Sequence, residues 1–295
     1  MHALLLWTAL VTIAQAPPRR LPAVAPMLAV SLTARALQPG EVVRVDAMSA
    51  APLAGVRVSA FGRSIVSARD AAGTWHALVG IDLETPPGDY PLVVEAVTAS
   101  GVAVAERRVL SVSAKEFPTR TLRVDPRFVT PPAAVRPRIE REAARLAVLF
   151  GTEEAEPAWT GEFAVPIEGA LVSGFGVRSV FNGQARAPHG GADFASAAGT
   201  PVAAPGEGRV VLAADLYFTG GTLVIAHGGG LYSLLAHLSR RDVSEGDRVH
   251  RGQPVGTVGA TGRATGPHLH WTVRLHTARV DPLSLIDAAD VLRRR

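Results

Sequence analysis

Gly266-Pro267-His268-Leu269-His270-Trp271 alternates in the period of a β-strand, and a strand carries His268 and His270 on the same face. Two imidazoles directed into one space form the beginning of a metal site. Upstream, Pro188-His189-Gly190-Gly191-Ala192-Asp193-Phe194 sets a histidine and a carboxylate around a glycine pair, flexible enough to let both converge on one cation. Two His and one Asp make three ligands and leave zinc a fourth position for water, the arrangement of a catalytic site. The chain has no cysteine, which excludes disulfides, thiol nucleophiles, thiolate metal sites and a lipid-attachment cysteine. Any metal must be held by His, Asp or Glu.

Between these stretches lies Leu234-Leu235-Ala236-His237-Leu238-Ser239. Alone, His237 reads as a core histidine. Beside a metal site that has one histidine to spare, it gains a second reading. Two imidazoles that the metal does not need can polarise a scissile carbonyl, move a proton from water and stabilise an oxyanion. Of the remaining histidines, His76, His227, His250 and His276 stand outside these motifs and read as packed or surface residues.

The stretch from His189 to Trp271 resembles the catalytic domain of the M23 peptidases, the LytM and lysostaphin type of cell-wall metalloendopeptidase. The resemblance covers about Phe163 to Pro282 and rests on an ordered set: H-x-x-x-D, a histidine in A-H-L-S, then T-G-P-H-L-H. It implies that His189, Asp193 and His270 bind one Zn2+ per chain, while His237 and His268 act on water and substrate. Gly199-Thr200-Pro201-Val202, Gly206 to Val210 and Val243 to Val249 match the family's turns and strands. Many members carry tyrosine two residues before the middle histidine, where this chain has Leu235. The implied activity is hydrolysis of peptide bonds in bacterial peptidoglycan. The family also includes noncatalytic activators that lack ligands; all five positions are present here.

Phrases such as Glu245-Gly246-Asp247-Arg248-Val249 also suit biotinyl or lipoyl carriers. Those need a lysine to modify, and the only lysine is Lys115, in the other half of the chain.

At 295 residues and 47% hydrophobic content the chain is long enough for two cores, and 29 Gly, 22 Pro and 5% aromatics favour short strands and turns. A mainly β protein is expected. Strand signals around Val43, Val45, Val56, Val58 and Tyr90–Val97 place an immunoglobulin-like sandwich at 27–114. A linker with one short helix follows at 115–160, with Ile139, Ala143, Leu146 and Phe150 on one helical face. The antiparallel-β peptidase domain is expected at 161–282 and a tail at 283–295.

The apolar run Ala3–Ala14, closing on Ala14-Gln15-Ala16, reads as a signal peptide over 1–16, too short to span a bilayer. Export to a periplasm or the cell surface is therefore expected, with no membrane span once it is removed. The net charge of +4 is almost all arginine and suits an anionic polymer such as cell wall. The arginines are scattered, without the stripe a nucleic-acid surface requires.

Overall fold

The computed structural model describes residues 27–123, 125, 129–152 and 163–290. The expected signal at 1–16 and the expected start of the peptidase domain at residue 161 lie outside them.

The N-terminal strands are β1 (Leu28–Thr33), β2 (Val42–Ser49), β3 (Leu53–Ala60), β4 (Arg63–Val66), β5 (Ala68–Arg69), β6 (Trp75–Gly80), β7 (Gly88–Thr98) and β8 (Ala103–Val112). They form two antiparallel sheets, β1-β2-β6-β5 and β4-β3-β7-β8. Along β7, Leu92, Val94 and Ala96 are buried while their neighbours are more exposed, the two-residue period of a strand with one face on a core. Val43, Val45, Val58, Val79, Leu92 and Leu110 share that core.

β2 breaks the alternation, being buried continuously from Val42 to Ala47. Its second face is covered by the C-terminal half: Val42 joins that half's core, and its N–H donates to Ser284 Oγ at 2.8 Å. Gly80, at the end of β6, packs so closely that a Cβ would lie 3.0 Å from Leu275 and Val280 side chains. Ion pairs flank the seam, including Arg35–Asp281 and Arg279–Asp82, both at 2.7 Å.

The segment between the halves is not a bare linker. β9 (Thr119–Leu122) pairs in parallel with β11 (Arg178–Phe181), and β12 (Gln184–Ala185) completes that three-stranded sheet. A 3-10 turn then leads into α1 (Arg136–Gly151), which opens with a proline in its first turn, where the missing N–H costs no helical bond. Arg138 donates to Asp215 O and Glu142 accepts from Tyr217 N–H, and the apolar contacts of the helix gather toward its last turn. Phe150 is its buried residue, packed with Leu146 and Leu149 on Leu212, Val224 and Tyr232, whereas Ala143 of the expected apolar face is exposed.

The C-terminal half continues with β10 (Ala170–Ser173), β13 (Ala192–Ala195), β14 (Pro201–Ala203), β15 (Gly208–Leu216), β16 (Gly220–Gly228) and β17 (Leu231–Arg241). It ends with β18 (Arg248–Val249), β19 (Pro254–Val258), β20 (His268–Leu275), β21 (Ala278–Val280) and α2 (Pro282–Asp290). An antiparallel sheet runs β10-β13-β20-β17-β16-β15-β18, with β19 on β17, β14 on β19 and β21 on β20. Leu269, Trp271, Val273 and Leu235 fill its core, which α2 closes with Leu285, Ala288 and Ala289. Among the described residues no helix is long and apolar enough to cross a membrane.

Candidate metal centre

β20 lies between β13 and β17, and this placement gathers the expected site residues. Asp193 on β13 is directly opposite His270 on β20, and His270 is opposite Ala236, the neighbour of His237, on β17. His189 stands just before β13, held by backbone bonds from its N–H to Val177 O and from Gly176 N–H to its own carbonyl.

Three atoms converge: Asp193 Oδ1 is 2.7 Å from His270 Nδ1 and 3.1 Å from His189 Nε2, and the two imidazole nitrogens are 3.0 Å apart. The far nitrogens explain which atoms are offered. His189 Nδ1 is 2.9 Å from Gly174 O, and a carbonyl can only accept, so Nδ1 carries the proton and Nε2 a lone pair. His270 Nε2 lies 2.8 Å from Thr272 Oγ1, and donation there leaves Nδ1 as its lone pair. Burial opposes ionisation of Asp193, but positive charge shared with the two imidazoles, from a proton or a cation, holds its carboxyl well below the usual carboxylate range. Burial, against the pull of Asp193, lowers the pKa of His270 and so favours its neutral form. An ionised carboxylate and neutral imidazoles are the ligand forms of these groups. Three electron-rich atoms this close demand a cation. Tetrahedral bonds of about 2.0–2.1 Å would space ligands about 3.3 Å apart, so the donor set fits such an ion.

Gly191 is needed for closeness rather than flexibility. A Cβ there would lie 2.4 Å from Trp271 O and 3.0 Å from His270 Cε1, whereas one at Gly190 would meet nothing within 4 Å.

The two other histidines face the same centre. His237 has φ of 63°, a left-handed backbone uncommon outside glycine but tolerated by histidine, at the point where β17 turns from β20 to β19. Its Nδ1–H donates to Thr261 O at 2.8 Å, and His268 Nδ1–H donates to Gly266 O at 2.8 Å. Both therefore turn a free Nε2 inward, with ring centroids 4.7 Å apart. Burial, aided by His270 and His268, pushes the His237 pKa down to about 3. A groove of about 690 Å³ opens over the site, lined by His189, His237, His268, Phe218 and Arg263, and by Arg120 from β9.

Other histidines lie elsewhere. His76 is held in the N-terminal half between Asp46, at 2.7 Å, and Asp70, at 3.0 Å. His227 is fully buried between Glu207 O and Ser233 Oγ, His250 is exposed, and His276 is buried after β20. Leu235 is fully buried in the core and does not line the groove. The carbonyls of Gly174, Thr261 and Gly266 escape sequence reasoning, because any residue supplies one. Thr272 had a signal, since it follows His270 by two on the same strand face.

The sequence profile of peptidase family M23 matches residues 187–282, the span that carries these groups. A crystal structure of a Pseudomonas aeruginosa protein described as a peptidase M23 superposes with a TM-score of 0.66 at 38% identity, covering 85% of this chain and 96% of that one. The chain belongs to peptidase family M23. Peptidoglycan DD-endopeptidase ShyA of Vibrio cholerae serotype O1 is 47% identical over 85 residues, 29% of this chain and 20% of that protein. The DD-carboxypeptidase/endopeptidase Mpg of Neisseria meningitidis serogroup B is 40% identical over 97 residues, 33% of this chain and 22% of its own length. The M23 chain thus spans about a fifth of these two curated relatives. Its converging His-Asp-His set is consistent with the metal dependence of the M23 family.

Proposed function

We propose that the chain is a zinc-dependent endopeptidase that hydrolyses peptide bonds in bacterial peptidoglycan, at stem-peptide cross-links or bridges. The observation that carries this reading is the pair of imidazoles beyond the ligand set. A structural zinc is normally closed by four protein ligands, whereas here three converge and two further Nε2 atoms face the same groove.

In this reading His189, Asp193 and His270 hold the ion. Bound zinc supplies Lewis acidity toward water and the scissile carbonyl. His237 and His268, fixed by carbonyl bonds in the tautomer with a free Nε2, divide the proton work. One takes a proton from the attacking water as its oxygen bonds to the carbonyl carbon, and the proton passes to the amine as the C–N bond breaks. The other, when protonated, stabilises the oxyanion. The low basicity of buried His237 suits release of a proton more than its retention.

The N-terminal sheets are proposed to be an immunoglobulin-like module at 27–114 that positions the peptidase domain at 161–282. β9 supports positioning, since it both joins the halves and lines the groove. A peptidoglycan substrate implies an envelope location, in keeping with export through the segment at 1–16.

The test is digestion of purified peptidoglycan with and without a zinc chelator, with released muropeptides identified by mass spectrometry. Chelator-sensitive loss of one class of cross-link is expected. Absence of release by the zinc-loaded chain would turn the reading toward a noncatalytic activator or wall-binding protein.

A further inference from the structure

Arg263 lies between the two carbonyls that orient the proton-transfer pair, Thr261 O for His237 and Gly266 O for His268. Its own N–H donates to Phe218 O at 2.8 Å, tying this loop to the turn between β15 and β16. The tie is tight. Gly262 has φ of 69°, and a Cβ on it would lie 2.4 Å from Gly220 N. The backbone bearing Arg263 is therefore fixed with respect to the metal centre.

The side chain is held by aromatic faces instead of by an anion. Its guanidinium carbon is 4.7 Å from the Phe218 ring centroid and 5.4 Å from that of Phe181, distances at which a cation is attracted to a ring face. Among the described residues no carboxylate pairs with it. Arg44 with Asp46, Arg35 with Glu41 and Asp281, and Arg279 with Asp82 do find one, whereas Arg274, stacked on Phe150, and Arg186 bond carbonyl oxygens instead and do not line the groove. Burial, reinforced by the like charge of Arg186, lowers the Arg263 pKa, so its environment already disfavours the charge. Arginine nonetheless stays protonated in proteins. The groove therefore presents a half-desolvated, preoriented guanidinium fork, with Arg120 as a further cation and Asp125 and Asp193 as the lining carboxylates. Asp193 is committed to the imidazoles.

We propose that Arg263 is a specificity residue that binds a free carboxylate of the peptide substrate, so that the groove selects peptides carrying one near the scissile bond. This rests on the peptidase reading above. A carboxylate matches the fork in two parallel N–H···O bonds, which an amide cannot reproduce. Stem peptides offer two sources, a carboxylate on an internal residue's side chain and a C-terminal α-carboxylate.

The experiment uses one cross-linked peptide in three forms: unmodified, amidated only at the internal carboxylate, and amidated only at the C-terminus. For the zinc-loaded chain, amidating the recognised group lowers kcat/KM roughly 10- to 100-fold, the scale of a charged hydrogen bond, and the responsive form identifies the source. R263Q cleaves the unmodified peptide more slowly and no longer distinguishes the forms. Wild-type kcat/KM within about twofold across all three, or the same preference retained in R263Q, overturns the proposal. Calorimetric binding of the three peptides to H237N and to H237N/R263Q separates this from the underlying reading. If wild type cleaved nothing, the peptidase reading would fail, while a carboxylate preference lost with R263Q would still uphold the role of Arg263.

Discussion

Asp193 and His270 face each other across the β13–β20 pair, with Oδ1 and Nδ1 2.7 Å apart, and the next residue on the same face of β20, Thr272, holds the other nitrogen of His270 at 2.8 Å. By accepting a hydrogen bond from Nε2–H, the hydroxyl supports the tautomer that leaves Nδ1 for a metal. Removing it while keeping the side-chain shape should weaken zinc without unfolding the sheet. T272V is expected to lower zinc affinity about 10- to 100-fold, measured by competition with a chromophoric chelator, and T272S to restore most of it. Unchanged affinity in T272V would deny Thr272 this role.

Two adjacent glycines give opposite expectations. At Gly191 a Cβ would meet Trp271 O at 2.4 Å and Thr272 Oγ1 at 2.8 Å, contacts that neither strand can relieve without moving His270. G191A should cost about 1–3 kcal/mol and weaken zinc binding with it. At Gly190 the corresponding space is open, so G190A should leave zinc affinity unaltered. Thermal melts and chelator titrations of both variants check the contrast.

The same pair shows what could be read in advance. H-x-x-x-D and H-x-H were legible because ligand chemistry requires particular side chains and the strand period fixes which of them share a face. That Gly191 serves close approach was not legible, because the atoms it accommodates belong to β20, some eighty positions later in the chain. β9 was read as linker, since four residues of strand acquire their partner only from β11. The buried run of β2 gave a strand signal, but its second covering layer comes from the far end of the chain.

His227 predicts a pH dependence of stability. Burial pushes its pKa down from 6.5 to about 4, although Glu207 O accepts a hydrogen bond from it. In the unfolded chain the ring takes a proton first as pH falls. The folded state thus keeps its full advantage above the unfolded pKa of 6.5 and loses it between there and about 4. The loss is on the order of 3 kcal/mol. Urea unfolding of wild type and H227Q across this range should show their stability difference changing by that amount in favour of the variant. Parallel pH curves would mean that His227 does not titrate differently on folding.

The seam between the halves can be weighed in the same way. Arg279 binds Asp82 through Nη2 at 2.7 Å and Nε at 3.1 Å, and its backbone N–H donates to the same carboxylate. Burial opposes this, but the bonds from Arg279 prevail and lower the Asp82 pKa. Its stabilisation is therefore present above the unfolded carboxylate pKa of 3.8 and lost as pH falls through the lower folded value. Both side chains remain partly solvated, which limits the pair. A D82A/R279A double-mutant cycle should give a coupling of about 1 kcal/mol, reduced by high salt.

His237 offers the sharpest separation of chemistry from folding, provided the substitution respects its backbone. Alanine at φ of 63° would add strain to the loss of the ring, roughly 1–2 kcal/mol, and so confuse the two effects. Asparagine tolerates the left-handed region and can still donate an amide hydrogen toward Thr261 O, yet it offers no basic nitrogen to the groove. H237N should therefore melt close to wild type and bind zinc with similar affinity, because its ring is not among the three converging ligands. Its kcat on peptidoglycan peptides should fall about 100- to 10,000-fold, the usual contribution of a positioned proton-transfer group. If H237N instead lost zinc, His237 would belong to the ligand set. If it kept both zinc and full activity, His268 alone would have to carry the proton, and the reading of paired imidazoles would have to be abandoned.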